Sequence, residues 1–396
     1  MPLMRVLVAP DSYKGSLTSV QVAGAIAAGW RSVRRDDTID ECPMSDGGRG
    51  LLDAVLAADP GWQALPVTSR DPLGRPVPGR FLRSGDRGVV ELADASGLWR
   101  VAPDERDPLA ASTFGTGLTL SAAAELGVRR IILGAGGSAT TDGGCGLLAA
   151  LGAQFLDADG RDLPPGGAAL ARLDRVDFAD LSSLLGGLDL VVASDVRNPL
   201  LGPDGAAAVY GPQKGASPRD VEVLDAALAR YADVLEGATG RRIRDVPGAG
   251  AAGGTVAGLL AIADRFASFS LRPGADEVMG LVGFTERLAA ADLVLSGEGM
   301  ADEQTAWGKT AQRVAEAARR AGRPCIVLAG GVTPDGEEGL AALGAAAVAS
   351  IAVPMTVEEA MAAGAEPVRR AAARAARIVG IGALAGAGSG LGASRR

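Results

Sequence analysis

The chain has 396 residues, 47% hydrophobic and only 4% aromatic, and a formal net charge of −8. Its length supports two domains with cores of their own, and an acidic balance without a sustained basic run argues against nucleic acid as a partner. No histidine is present, which excludes His-based triads, imidazole-ligated metals and phosphohistidine chemistry and leaves Asp, Glu, Lys, Tyr or Cys as general base.

Leu3–Ala9 reads as a short buried strand. It runs into a polar turn carrying Asp11, Ser12 and Lys14, just past a strand's carboxyl end, where open α/β sheets place their ligands. Thr18 with Gln21 three residues on has capping-box spacing, and Val22, Ala25, Ile26 and Gly29 continue at helical spacing. The layout then repeats: Cys42–Gly50 presents Asp46, glycines and Arg49 ahead of a helix from Leu51, so Asp46 is either a plain helix N-cap or a carboxylate facing Asp11 across a cleft. From 60 to 110 prolines and glycines become frequent, with short strands expected at 79–83 and 88–93, and a second domain is expected to begin here. Thr113–Gly117 opens an Ala/Leu-rich helix.

The most conspicuous stretch follows. Val128–Leu133 reads as a strand, Leu147–Leu151 as a helix, and Gly134–Gly146 between them is dense in glycine and hydroxyls. Backbone N–H groups exposed at that helix start, with Gly136, Gly137, Ser138, Thr140 and Thr141 nearby, would suit an anion such as a phosphate; the plainer reading is a strand-to-helix turn in a glycine-rich chain. A further strand, Leu188–Ser194, delivers Asp195, Arg197 and Asn198. Gly211–Gly215 carries Lys214 and leads into a helix near Pro218, and the Gly/Ala run 248–258 reads as a close-packing turn. Regular alternation then resumes: a strand at Asp292–Ser296, a loop with Glu298 and Asp302, a helix over 311–321, strands at Cys325–Ala329 and Ala345–Val353, a helix over 356–378, and a frayed tail from Gly382. Gly308-Lys309-Thr310 is not a Walker A motif, since Glu303 stands where that motif needs glycine. The cysteines Cys42, Cys145 and Cys325 form no CxxC pair, the opening residues lack a signal-peptide layout, and no apolar run has the roughly 18 residues of a membrane span. A reduced, cytoplasmic protein without a membrane partner is expected.

Carboxylates at strand ends, a few cations, glycine-rich loops and no histidine suit phosphoryl transfer, which needs positioning, oxygen-ligated magnesium and a carboxylate for the hydroxyl proton. Taken together the motifs resemble the type I glycerate kinase family. The resemblance rests on Ala9–Ser16, Pro43–Gly48, Phe114–Gly117, Gly136–Gly144, Asp195–Leu200, Gly211–Ala216, Gly250–Gly254 and Gly297–Gly299, with Asp302, Gln304, Thr305, Gly308 and Lys309, in that order. It implies an α/β fold in which a Rossmann-like parallel-sheet domain from both chain ends (1–70 and 288–381) holds an inserted α/β domain (71–287), followed by a flexible tail (382–396). It places the active site in the cleft between the domains. It also implies phosphorylation of D-glycerate with ATP and Mg²⁺, most readily at the 2-hydroxyl; a glycerate 3-kinase, a kinase of a related hydroxy acid and a non-catalytic metabolite sensor are the alternatives, and homo-oligomerisation stays open.

The site residues are then expected as follows. Asp195 is the first candidate for magnesium ligand or base, and Asp46 the second. Lys14 and Arg197 neutralise the substrate carboxylate or the moving phosphoryl group. Asp11, Ser12 and Asn198 hold glycerate hydroxyls; Gly136, Gly137, Ser138 and Thr140 cradle nucleotide phosphates, with Glu298 facing the same ligands. Three departures stand out: Arg49 where the family has Glu, Met300 where it has Arg, and Asp107 where it has Asn. An arginine is lost at one loop and gained at another, so Arg49 is expected to take over the anion-binding role vacated at Met300.

Overall fold

A computed structural model describes residues 3–302, 310–352 and 355–389. In chain order the strands of the first half are β1 (Arg5–Val8), β2 (Thr38–Glu41), β3 (Gln63–Arg70), β4 (Pro76–Ser84), β5 (Arg87–Glu91) and β6 (Arg130–Gly134). The remainder are β7 (Gln154–Leu156), β8 (Arg175–Asp177), β9 (Asp189–Ala193), β10 (Ser268–Arg272), β11 (Leu293–Ala301), β12 (Cys325–Val332) and β13 (Ala347–Ser350). Packing divides the chain into two units: residues 1–46, 53–59 and 278–396 form the first, and 47–52 with 60–277 the second.

The first unit is a Rossmann-like sheet of order β13-β12-β11-β1-β2, parallel throughout. Parallel strands need crossover helices, which cover both faces and make the strands apolar; Val6, Leu7 and Val8 are accordingly buried. The helix Ser19–Arg31 starts at Thr18, whose hydroxyl accepts from the Gln21 N–H while the Gln21 side chain accepts from the Thr18 N–H, so the capping box forms as its spacing predicts. Its buried face, Val22, Ile26 and Trp30, packs with Val368, Ala371 and Ala372 of the helix Glu366–Ser389. The expected single helix over 356–378 is instead two, Val357–Ala362 and Glu366–Ser389, broken at Gly364 with φ +58°. The backbone expected to fray from Gly382 stays helical to Ser389, because alanine offsets the glycines in helix propensity.

The second unit carries a mixed six-stranded sheet of order β10-β9-β6-β5-β4-β3 and a small β7-β8 hairpin. Strands β5, β6, β9 and β10 run parallel, while β3 and β4 add antiparallel pairs at one edge. Strand β3 was not expected, because a strand alternating exposed and half-buried residues and carrying Pro66 has no continuous apolar run. Its pairing with β4 places the change of unit after Asp59 rather than after Arg70. The return lies after Glu277, upstream of the expected 287. The helix Pro218–Thr239 starts on a Ser217/Asp220 capping box and buries Leu224, Leu228, Tyr231 and Leu235 against Leu147, Leu148 and Val256.

Candidate functional site

In the first unit the charged loops after β1 and β2 run side by side. The Asp11 N–H donates to the Gly297 carbonyl, the Cys42 N–H to Val8 and the Met44 N–H to Pro10, which continues the sheet's pairing past the strand ends. This carries Asp46 to Asp11 and Lys14. Lys14 Nζ donates to Asp46 Oδ2 at 3.0 Å, with the lysine side chain 78% exposed and the aspartate 31%. Asp11 is buried; its carboxylate accepts from the Ser12 N–H at 2.6 Å and the Thr310 hydroxyl at 2.8 Å. Burial first, and the Asp46 charge second, push the Asp11 carboxyl up to about 6, against the pull of those two donors and Lys14. Asp46 in turn raises Lys14. Glu298 lies buried on β11, and its charge, after burial, raises the Tyr13 phenol. Asp11, Ser12, Lys14, Asp46 and Glu298 thus share one neighbourhood. Gln304, Thr305, Gly308 and Lys309 lie outside the described residues.

In the second unit the glycine-rich loop is closed rather than open. Asp142 is fully buried and its carboxylate accepts from the Thr113 N–H and hydroxyl, both at 2.8 Å, and from the N–H groups of Gly144 and Gly146. The Leu147 N–H donates to the Thr113 hydroxyl. The first turn of the helix Cys145–Ala150 is therefore bonded internally, which corrects the expectation that its N–H groups stand exposed. Burial raises the Asp142 carboxyl while the four donors hold it down. The loop is also clamped by backbone. A side chain on Gly136 would put Cβ 2.6 Å from Gly48 Cα, and one on Gly253 would sit 1.9 Å from the Thr140 carbonyl. That approach comes from the run 248–258, where Ala252, Gly253 and Gly254 all take left-handed backbone, Ala252 at φ 52°. Gly137 accepts from the Leu98 N–H.

The other candidates are spread through the second unit. Both Asp195 oxygens accept backbone N–H groups, from Gly274 at 2.9 Å and Ala275 at 3.3 Å, so this carboxylate caps the helix Gly274–Leu281. The Asn198 amide is engaged at both ends, donating to the Asp204 carbonyl and accepting from the Tyr210 hydroxyl. Arg197 is exposed. Arg49, also exposed, holds its guanidinium 4.8 Å from the Trp99 ring centre. Asp107 accepts from the Leu109 and Ala110 N–H groups, a task Asn performs equally well. Met300 is an exposed residue of β11 in the first unit. A groove of about 470 Å³ lined by Ser112, Phe114, Cys145, Phe155 and Pro164 contains none of the expected residues.

Two residues received no role in the sequence reading. Thr310 was seen only inside a rejected motif, and no local signal marks a hydroxyl that will reach Asp11. Lys214 belongs to a loop whose carboxylate, two cations and amide favour a functional reading but assign it no role; it is 2% exposed and donates to Ser138 Oγ at 3.0 Å and the Thr140 carbonyl at 2.6 Å.

Carboxylates and a lysine at the ends of parallel strands, oxygen donors throughout and no imidazole define an α/β enzyme of the kinase class. Comparison narrows this. The glycerate kinase family matches residues 6–380. Glycerate kinase of Bacillus subtilis (strain 168) is 43% identical over 334 residues, 84% of this chain and 86% of the relative. Glycerate 2-kinase of Escherichia coli (strain K12) is 40% identical over 334 residues, with 84% and 86% covered. A crystal structure assigned to glycerate kinase 2 of Salmonella typhimurium LT2 superposes with a TM-score of 0.79 at 40% identity, covering 97% of this chain and all of that one. The chain belongs to the glycerate kinase family.

Proposed function

We propose that the protein transfers the terminal phosphoryl group of ATP to the 2-hydroxyl of D-glycerate. The observation that carries this reading is the Lys14–Asp46–Asp11 cluster, a cation beside two carboxylates of which one is held near 6. A carboxylate so tuned receives a hydroxyl proton at neutral pH, and an exposed ammonium neutralises charge on the substrate carboxylate or the moving phosphoryl group. In this reading Asp11 holds a glycerate hydroxyl and takes its proton, Ser12 holds the other hydroxyl, Asp46 keeps Lys14 in place, and Asp195, already committed to two N–H donors, passes from first candidate to a supporting role. Arg49 and Arg197, exposed guanidiniums, supply further anion contacts. Gly136, Gly137, Ser138 and Thr140 address the nucleotide phosphates.

Magnesium suits this donor set. The Asp46 charge raises the Asp11 carboxyl, a repulsion that a divalent cation relieves, and kinase magnesium is held by one or two carboxylates with phosphate and water completing the shell. Asp46 would hold it, and it would supply neutralisation of phosphate charge.

The test is ADP release by the purified protein with D-glycerate and Mg-ATP, followed by phosphorus NMR of the product. Turnover giving 2-phosphoglycerate supports the reading, and 3-phosphoglycerate overturns its regiochemistry. Turnover only with another hydroxy acid overturns the substrate, and no turnover with any leaves a non-catalytic relative.

A further inference from the structure

Lysine is almost never fully buried unless paired with a carboxylate. Lys214 is 2% exposed, and among the described residues it has no carboxylate within ion-pair distance. Its ammonium has three N–H donors. Two are used, on Ser138 Oγ and the Thr140 carbonyl. Because the Ser138 oxygen accepts from Lys214, that hydroxyl's own proton points elsewhere, and no acceptor for it occurs among the described residues. A second buried donor, Arg106 Nε, is unbonded. Arg106, Asp107, Ala139 and Lys214 line a cavity of about 10 Å³, enough for a single oxygen atom. Asp107 takes the N–H groups of Leu109 and Ala110 on Oδ1. The cavity thus brings together an unused N–H of Lys214 and the unbonded Arg106 Nε, with the unused Ser138 proton beside Lys214 and the Asp107 carboxylate as the acceptor in its lining, and an anionic oxygen would satisfy these donors.

We propose that Lys214, Ser138 and Arg106 form a subsite for one phosphate oxygen of the nucleotide, with Lys214 as the positioning residue that turns the Ser138 hydroxyl into a donor. The proposal rests on the reading that residues 136–140 address nucleotide phosphates. It adds two residues to that reading and gives the loop a charged anchor that the bonded helix start cannot supply. The charged and titratable groups facing Lys214 are Arg106 and Asp107 across the cavity and Asp142 behind the loop. Burial pushes the Lys214 ammonium down to about 7, and only Asp142 works against that. Below that pH the cation completes the subsite; above it the neutral amine no longer does.

The experiment is calorimetric titration of the full chain with ADP, with inorganic phosphate and with D-glycerate, none of which needs turnover. A hydrogen bond to a charged group is worth about 1.5–3 kcal/mol, so Lys214→Met is expected to weaken ADP and phosphate roughly 10–100-fold while glycerate affinity stays within about twofold. Ser138→Ala, which leaves the Lys214 bond to Thr140 in place, is expected to weaken ADP about tenfold and serves if Lys214→Met fails to fold. In the wild type ADP affinity falls as pH rises through about 7; in Lys214→Met that step is absent, and Lys214→Arg retains tight binding without it. Undiminished ADP binding by folded Lys214→Met and by Ser138→Ala overturns the proposal, and so does a loss confined to glycerate. If the wild type binds ADP yet releases none from Mg-ATP and D-glycerate, the kinase reading fails while the subsite stands.

Discussion

The two polar regions are built on opposite principles. The glycine-rich loop of the second unit is a closed knot: Asp142 is fully buried, its four donors lie within the same unit, and neighbouring backbone fills the space where side chains would go. The strand-end cluster of the first unit is unfinished: a lysine stands 78% exposed beside a partly exposed carboxylate, and a buried carboxyl nearby is pushed up to about 6. A saturated set of hydrogen bonds holds a fold. A set with displaced titration and exposed charge is poised for a ligand. The contrast supports the proposed reading, with structure for most of the loop and chemistry for the cluster.

The sharpest way to break this comparison is Asp142→Ala. It strands four donors in a dry site, and the expected cost is about 3–5 kcal/mol, read as a large fall in the urea midpoint. A variant that folds normally but loses turnover would turn the loop into a catalytic element. Asp46→Ala should show the reverse signature: kcat/KM falls roughly 10²–10³-fold, while the stability loss stays well below that of Asp142→Ala, since Asp46 is 31% exposed and its lysine partner 78%. Equal losses in both assays would erase the distinction.

Asp11→Asn sharpens it further. A carboxyl whose folded value lies near 6, above the ordinary 3.8, contributes stability that is fully present below 3.8 and lost as pH rises through 6. At neutral pH the native aspartate therefore burdens the fold. Asn keeps both hydrogen-bond positions, accepting from Ser12 and donating to Thr310. The variant should be about 1–3 kcal/mol more stable at neutral pH in metal-free buffer, with a flatter melting profile between about pH 4 and 6, and with impaired catalysis. A lower melting temperature at neutral pH would contradict the account. The smallest effect belongs to Ala252→Gly. Left-handed backbone costs an L-residue about 1–2 kcal/mol, part of which glycine returns through unfolded-state entropy, so a gain under about 1 kcal/mol in urea melts is expected.

Much of this was legible in the sequence because it depends on local chemistry. The Thr18/Gln21 spacing fixes a helix start, the Val6–Val8 run a buried strand, and Asp11 and Asp46 announce themselves by following strands. What was not legible depends on distant partners. Asp195 follows a clean strand just as Asp11 does, and only the fold reveals that Gly274 and Ala275 consume its oxygens. Asp142 sits in the loop that looks most like an anion cradle, and the residue that closes it, Thr113, lies a helix away in sequence. Lys214 looks like an ordinary turn cation until its burial is known. Strand β3, half-exposed and interrupted by proline, carries too little apolar signal to be seen before its partner is known.

The order of strands in the first sheet also sets a timetable. Strand β1 lies between β2, which follows closely in the chain, and β11, whose pairing begins with Val6 beside Leu293. At translation rates of about 5–20 residues per second, the ribosome needs roughly 15–60 s to deliver that second neighbour. Throughout that interval one apolar edge of β1 has no companion, a template for pairing with other nascent chains. The second unit, drawn almost wholly from the stretch between Pro60 and Glu277, emerges complete in the meantime. Synthesis thus finishes the inserted unit first and the enclosing one last, and the window of greatest aggregation risk closes only when β11 leaves the exit tunnel.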